Sequence, residues 1–325
     1  MFQALCLIAL GVGLLATGGE LLLRGAVGLA TRFRLTPAVI GLTVVAAGTS
    51  VPELSVSGMA AFNGKYDLAF ANIVGSNIFN ITFMIGLCAL VRPFAVAKQA
   101  LHLEYPAAVA ATLLFWWVVR DGVVSRFEAA LCLTAYAAFV AYLLHLVRRE
   151  GLKVSDLGLD EKATESQPRA TRPRISVGFV SLGILLLASG AHATVAGAIE
   201  MARRFGWSER LIGLTIVAAG TDLPEIFASV LSARRGRSDV ALGNAIGSNL
   251  FNMLVILGVT SLASPLHLDV ATVASDCRWL LGLTLLLFPL MLRDRSIGRG
   301  AGVFLIVAYA SYVTFLIVGT DGGYL

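Results

Sequence analysis

Charged side chains are scarce in this chain of 325 residues. Asp, Glu, Lys and Arg make up 14% of the sequence, against about 25% in ordinary soluble domains. Hydrophobic residues make up 57%, and the mean hydropathy is +0.82. Apolar runs of roughly 20 residues, the length that crosses a bilayer core, recur along the whole chain. The sequence therefore predicts a polytopic membrane protein.

Cysteine and histidine are also rare, with four of each. All four cysteines fall in predicted membrane spans without metal-ligand spacing, so we interpret them as small packing residues: Cys6, Cys88, Cys132 and Cys277. No nucleophile–base pair, phosphate-binding loop or metal-hydrolase signature is present, so we expect neither an enzyme nor a bound cofactor. The net charge of +5 comes from Lys and Arg in short loops, which does not indicate nucleic-acid binding.

The apolar runs predict an all-α protein with ten transmembrane helices. The predicted spans lie near residues 2–23, 37–61, 67–91, 100–119, 126–147, 175–200, 210–233, 239–263, 270–291 and 300–319. Five spans precede the one long polar stretch and five follow it. This stretch, 148–174, is basic and predicts a flexible linker.

Residues 41–86 and 213–258 are two copies of one sequence, aligned without gaps at an offset of 172 residues. Of the 46 aligned positions, 22 are identical, which indicates duplication. Because each half has an odd number of spans, the second half must enter the membrane from the opposite side. The sequence thus predicts two inverted five-helix repeats, 1–147 and 175–325, each carrying one copy of the motif.

The distribution of positive charge predicts the orientation. Of the 25 Lys and Arg residues, 18 lie in the loops that would share one side with the 148–174 linker. By the positive-inside rule that side is cytoplasmic, which places both termini outside, in a bacterial inner membrane.

Each repeat carries a glutamate near the centre of a predicted span, Glu53 in span two and Glu225 in span seven. A carboxylate there costs about 2.5–3.5 kcal/mol on insertion scales. Each follows Gly-Thr-x-x-Pro, and the proline frees the carbonyl four residues earlier, at Gly48 and Gly220. We therefore expect a broken helix whose carbonyls line an interior cavity.

Carboxylates, carbonyls and hydroxyls form an all-oxygen environment that suits calcium and sodium, whereas zinc or copper would call for His or Cys. The alternative is that the Pro-Glu pairs only kink the helices and make buried hydrogen bonds. Duplication in inverted halves favours the ion site.

A second repeated block, Asn-x-x-Gly-Ser-Asn-x-Phe-Asn, occupies 72–80 and 244–252. Its small residues allow close helix approach, and its polar residues share one face. Asn80 and Asn252 are candidate neutral ligands. For Asn72 and Asn244, a polar seam between helices and a direct role both remain open.

Other polar residues lie near the ends of predicted spans. For Glu20 in span one and His192 at the equivalent position of span six, snorkelling or interhelical bonding is favoured over ion ligation. Glu104, Asp269 and Asp276 are expected to be solvated.

The segments Gly-Thr-Ser-Val-Pro-Glu and Gly-Ser-Asn-Ile-Phe-Asn, with their second copies, resemble the two alpha repeats of the cation/calcium exchanger superfamily, especially its prokaryotic sodium/calcium exchangers. The resemblance implies an antiporter with a central site shared by spans two, three, seven and eight. Its transported ions would be calcium and sodium, and its partners inorganic cations and the lipid bilayer, with no obligatory protein partner.

The resemblance also implies a set of site residues. Calcium would be held by Glu53, Glu225 and the carbonyls of Thr49 and Thr221. Flanking sodium positions and a middle position would be formed by Ala46, Ser50, Ser76, Asn80, Ala218, Asp222, Ser248 and Asn252.

Two positions depart from the family pattern. The second repeat has Asp222 where the first has Ser50, and Asn252 stands where some members carry aspartate. We hypothesise that the third central carboxylate has moved to Asp222, which leaves the ion stoichiometry open.

Alternating access is the expected mechanism, with glycine-rich spans one and six as the moving pair and sodium driving calcium outward. Three alternatives remain: exchange of protons for calcium or another divalent cation, a passive cation channel, and a membrane scaffold or sensor.

Overall fold

The computed structural model describes residues 1–33, 35, 37–150, 173–206 and 218–321. Within these ranges eight helices are long and apolar enough to cross a membrane, and a bent helix pair supplies a ninth span. Predicted span seven, 210–233, is described from Ala218 onward. Most of the predicted linker, 151–172, lies outside the described residues.

The helices follow the predicted spans closely. Spans one to five are Phe2–Phe33; Pro37–Ile40, Gly41–Val45, Ala46–Thr49 and Val51–Phe62; Tyr66–Phe79, Asn80–Met84 and Ile85–Val91; Ala100–Glu104 and Tyr105–Val119; and Arg126–Glu150. Spans six to ten are Pro173–Arg204; Ala218–Thr221 and Leu223–Arg234; Ser238–Leu250, Phe251–Ile256 and Leu257–Ala263; Val270–Leu292; and Arg299–Asp321.

Spans one and six pack against each other antiparallel along most of their length. Small residues recur every seven positions at their interface: Ala4, Gly11, Gly18 and Gly25 in span one, and Ser176, Gly183, Gly190 and Gly197 in span six. The two backbones touch here, since a Cβ on Gly18 would come within 2.9 Å of the Gly183 carbonyl oxygen. Because these spans are repeat equivalents that run in opposite directions, the predicted inverted repeat is confirmed.

Four short strands, which the sequence did not predict, join the repeats at their loops. β1 (Phe94–Ala95) pairs antiparallel with β4 (Ser296–Ile297), and β2 (Val123–Val124) pairs with β3 (Leu266–His267). In the repeat alignment β3 corresponds to β1 and β4 to β2. Each repeat therefore contributes one strand to each pair, as a two-fold relation requires.

Two buried hydrophobic clusters support the helices. The larger extends through spans two to five and seven to ten. The smaller joins spans one and six to parts of spans two, seven and eight, through residues such as Leu22, Leu187 and Ala228. Spans one and six thus contribute to a core of their own beside the main bundle.

Two of the three acids expected to be solvated are buried. Glu104 is 1% exposed and Asp276 is 7% exposed, so that prediction is wrong for both. They are equivalent in the two repeats and lie about one turn inside spans four and nine, where packing covers them. Asp269 is exposed, and the N–H and hydroxyl of Thr272 donate to its carboxylate, which lowers its pKa.

Replacing Gly18 by alanine should destabilise the protein, because the new methyl group would meet the backbone of span six. Overpacking of this kind costs about 1–3 kcal/mol. Gly13 is the matched control, since it lies in the same helix and nothing is within 4 Å of its Cβ position. We expect Gly18→Ala to lower the melting temperature in detergent by several degrees and Gly13→Ala to leave it unchanged or slightly higher. Equal melting temperatures for the two variants would contradict this packing.

Candidate functional site

Both repeats break a helix at the residue that directly follows the threonine of the motif, two residues before the proline. In span two, Ala38–Thr49 and Val51–Phe62 meet at Ser50 with a bend of 45°. Ser50 has φ −82° and ψ 12°, outside the helical range. In span seven, Asp222 separates Ala218–Thr221 from Leu223–Arg234. Pro52 and Pro224 lie in the first turn of the following helix, where a missing N–H is tolerated.

The two glutamates lie in the first turns after these breaks and are each 1% exposed. The Ser50 hydroxyl donates to Oε1 of Glu225 at 3.0 Å, although the two residues are 175 positions apart. Glu53 is close enough to Glu225 and Asp222 for electrostatic repulsion, and the Thr221 hydroxyl also faces it. The structure therefore brings the acids of both repeats to one place.

Asp222 adds a third carboxylate to this place. It is 3% exposed, and Ser76 of span three lies close to it. Tyr309 of span ten is near enough to interact with it electrostatically. The equivalent position in the first repeat is Ser50, so the site is asymmetric in charge.

Many buried polar atoms of spans two, three, seven and eight have no hydrogen-bond partner of normal geometry among the described residues. They include both carboxylate oxygens of Glu53, Oε2 of Glu225, Oδ1 of Asp222, the hydroxyl of Ser248 and the amide groups of Asn80 and Asn252. Buried polar groups are normally satisfied. A cluster of unsatisfied oxygens is the arrangement that a cation would complete.

The remaining predicted ligands lie in the same helices. Ala46, Thr49 and Ser248 are fully buried, and Ser76 is 4% exposed. The Thr49 hydroxyl donates to the Val45 carbonyl at 3.1 Å and lies 3.4 Å from Oδ1 of Asn244. The backbone of Ala218 begins the described part of span seven.

Asn72 and Asn244 make equivalent contacts within their own repeats. The Asn72 amide donates to Ser57 at 2.9 Å, and the Asn244 amide donates to Ser229 at 2.9 Å. These bonds join the second half of each broken span to the following helix. They favour the polar-seam interpretation of the two asparagines.

The asparagines at 77 and 249 connect the two repeats directly. The side-chain amide of Asn249 donates to the main-chain carbonyl of Asn77 at 3.0 Å, which joins equivalent positions of spans three and eight. The polar helices of the two halves are therefore in contact at the centre of the molecule.

Span six covers both breaks. A Cβ on Gly48 would approach Ile184 to 2.6 Å, and Val195 lies against Gly220. These glycines directly precede Thr49 and Thr221, so side chains of span six form part of the wall beside the site.

The arrangement can bind cations only by combining charged and neutral oxygens. Among the described residues, no group of three or more His, Cys, Asp or Glu side chains is placed to hold a metal ion by itself. A hard cation bound here would therefore need hydroxyl, amide or main-chain oxygens besides the carboxylates.

Three features of the site were missed by sequence reasoning. Ser57 and Ser229 are identical in the two repeats, so the alignment carried a signal for them. Tyr309 corresponds to Tyr136, since spans five and ten begin at Arg126 and Arg299 and both tyrosines pack edge to face against a motif phenylalanine. The π-helical turns that begin at Asn80 and Phe251 have no signature in the sequence.

Comparison with known proteins gives similarity over nearly the whole chain. The model of the family described as sodium/calcium exchanger protein matches residues 3–145 and 175–318. The candidate antiporter CaxA of Alkalimonas amylolytica is 37% identical over 96% of this chain and 98% of its own. The inner membrane protein YrbG of Escherichia coli is 32% identical, with 97% of each chain covered.

A solved structure of the sodium–calcium exchanger NCX_Mj superposes with a TM-score of 0.82 at 27% identity, covering 97% of this chain and 99% of that one. The fold, the duplicated motif and the family match agree. The chain therefore belongs to the sodium/calcium exchanger protein family, whose members are membrane transporters and not enzymes.

Proposed function

We propose that this protein exchanges sodium for calcium across the membrane by alternating access, normally moving sodium inward and calcium outward. The observation that carries the proposal is the meeting of Glu53 and Glu225, which come from opposite repeats and are buried with unsatisfied oxygens. The sodium/calcium exchanger MaX1 of Methanosarcina acetivorans, 28% identical over 95% of this chain, supports the choice of ions.

Exchange follows from the energetics of buried charge. Uncompensated carboxylates in a low-dielectric interior cost several kcal/mol each, so the empty site disfavours any conformation that shields it from water. Either one calcium or several sodium ions can neutralise Glu53 and Glu225. Because the two kinds of ion need the same oxygens, binding of one excludes the other.

The ligand set that we propose contains the four motif residues and their neighbours. Glu53, Glu225 and the carbonyls of Thr49 and Thr221 would hold calcium. Sodium would use positions on either side, formed by Ala46, Ser50, Ser76, Asn80, Ala218, Asp222, Ser248 and Asn252.

The proposal includes the orientation of the chain. Both termini would lie outside and the 148–174 linker in the cytoplasm, with the two repeats at 1–147 and 175–325. The charge count supports this arrangement, because 18 of the 25 Lys and Arg residues lie on the linker side.

Proton/calcium exchange is the second candidate, and Asp222 is the observation that favours it. A buried carboxylate with an oxygen that lacks a hydrogen bond could take up a proton in place of sodium. The same protein could then couple calcium to a proton gradient.

Calcium uptake into proteoliposomes separates these functions. We expect uptake against a calcium gradient when sodium is placed inside, and little uptake when only a proton gradient is imposed. Uptake driven by a proton gradient alone, at fixed sodium, would indicate proton/calcium exchange and contradict sodium/calcium exchange. Flux only down the calcium gradient would identify a passive channel.

Glu53→Gln and Glu225→Gln should each lower calcium exchange by about 100-fold or more, because each removes one of the two carboxylates that we propose to bind calcium directly. Glu104→Gln is the matched control, since Glu104 is equally buried in a membrane span but lies outside this site. We expect that variant to retain exchange within about threefold of wild type. Calcium flux at equal protein incorporation is the measurement, and full activity in Glu53→Gln would refute the site.

Asp222→Asn should change the charge moved per cycle, because it removes the third carboxylate. Transport would be measured in proteoliposomes at membrane potentials set by potassium and valinomycin. We expect calcium flux to persist with an altered voltage dependence. An unchanged rate and voltage dependence would exclude Asp222 from charge balance.

Maleimide labelling of single cysteines would test the orientation. In a background with Cys6 replaced by alanine, a cysteine at Gly64, in the loop after span two, should react with an impermeant reagent from outside. A cysteine at Gly298, in the loop before span ten, should react only from the cytoplasmic side. The reverse pattern would invert the proposed topology.

A further inference from the structure

An ion pair connects spans one and seven away from the site. Glu20 of span one lies against the guanidinium of Arg235, and its other carboxylate oxygen contacts Nε of Arg24 one helical turn later. The Glu20 side chain is 18% exposed, whereas those of Arg24 and Arg235 are 59% and 47% exposed. The expectation of interhelical bonding is confirmed for Glu20.

Arg235 is held firmly at the end of span seven. It directly follows Leu223–Arg234, and its N–H donates to the Leu231 carbonyl at 3.1 Å. Gly236 then adopts φ +75°, a left-handed conformation that glycine favours. Arg235 therefore extends from the end of the same helix that carries Glu225.

Glu20 belongs to a different structural unit. Spans one and six contact each other backbone to backbone and share the smaller hydrophobic cluster. Side chains of span six also cover the breaks at Gly48 and Gly220. Access to the site on one side or the other therefore requires this helix pair to shift against spans two and seven.

The second repeat lacks an equivalent ion pair. The counterparts of Glu20 and Arg235 are His192 and Asn63. His192 is exposed, and the Asn63 amide donates to the Met59 carbonyl of its own helix at 2.7 Å. The inverted conformation, in which the two repeats exchange their roles, would gain no ion pair at the corresponding position.

We propose that Glu20 and Arg235 are positioning residues that favour the arrangement of spans one and six seen in the structure over the shifted arrangement. The pair stabilises one arrangement of spans one and six against span seven, and it must separate when the helix pair shifts. This inference rests on the proposed alternating-access function. It gives a built-in asymmetry to an exchanger whose two halves are otherwise related by duplication.

The apparent KM for calcium on the two faces of the membrane tests the inference. Glu20→Gln and Arg235→Gln should change the apparent KM on the two faces in opposite directions, because they alter the balance between the two arrangements of the helix pair. We expect the ratio of the two KM values to change by about three- to fivefold, the upper range for a partly exposed ion pair. The charge exchange Glu20→Arg with Arg235→Glu should return the ratio toward the wild-type value.

Arg24→Gln is the matched control, because it removes an arginine from Glu20 but leaves the contact between spans one and seven. It should leave the KM ratio within about twofold of wild type. If Glu20→Gln weakens binding equally on both faces, or if the charge exchange does not restore the ratio, the positioning role is refuted and the pair only supports the fold.

A second measurement does not depend on calcium transport. Ile184 of span six lies against Gly48 of span two. A cysteine in place of Ile184, in a background with Cys6 replaced by alanine, therefore reports on the shift of span six. Its alkylation rate by an impermeant maleimide should change in Glu20→Gln and Arg235→Gln but not in Arg24→Gln. Equal rates in all variants would overturn the inference. Absence of calcium exchange in wild type would instead refute the proposed function.

Discussion

Burial of negative charge without a protein counterion is the constraint on which this structure depends. Three carboxylates, at Glu53, Asp222 and Glu225, lie in the membrane domain with exposures of 3% or less. The described salt bridges lie elsewhere. The helix breaks, the neighbouring hydroxyls and the unsatisfied amides all place oxygen close to these acids. Such a cluster is stable only when protons or bound cations compensate the buried charge.

Duplication gives the two repeats a common architecture, and a few positions at which they differ make the protein asymmetric. The two breaks, the Asn-Ser contacts and the strand pairs follow the two-fold relation closely. Ser50 against Asp222 and Glu20 against His192 do not. One departure adds a carboxylate to the central cluster, and the other adds an ion pair between spans one and seven. Under the proposed alternating access, identical halves would cycle without preference for either side, so these positions are where a preference can be encoded.

Most of the fold could be predicted from the sequence because a bilayer imposes a simple length and polarity rule. The proline before each glutamate likewise made the breaks at Ser50 and Asp222 predictable. Other features depend on packing that hydropathy does not report. Glu104 and Asp276 looked like edge residues, yet neighbouring helices cover them.

Long-range contacts were equally inaccessible. Glu20 contacts Arg235, which is 215 positions away, and no local sequence pattern predicts that contact. Two-residue strands are too short to produce an alternating signal.

The strand pairs also have a consequence for biosynthesis. β1 and β2 leave the ribosome well before β4 and β3 exist, so the first five helices must reside in the membrane with open backbone edges. Insertion of the later helices closes them, and a chain truncated between the repeats should be a target for membrane quality-control proteases.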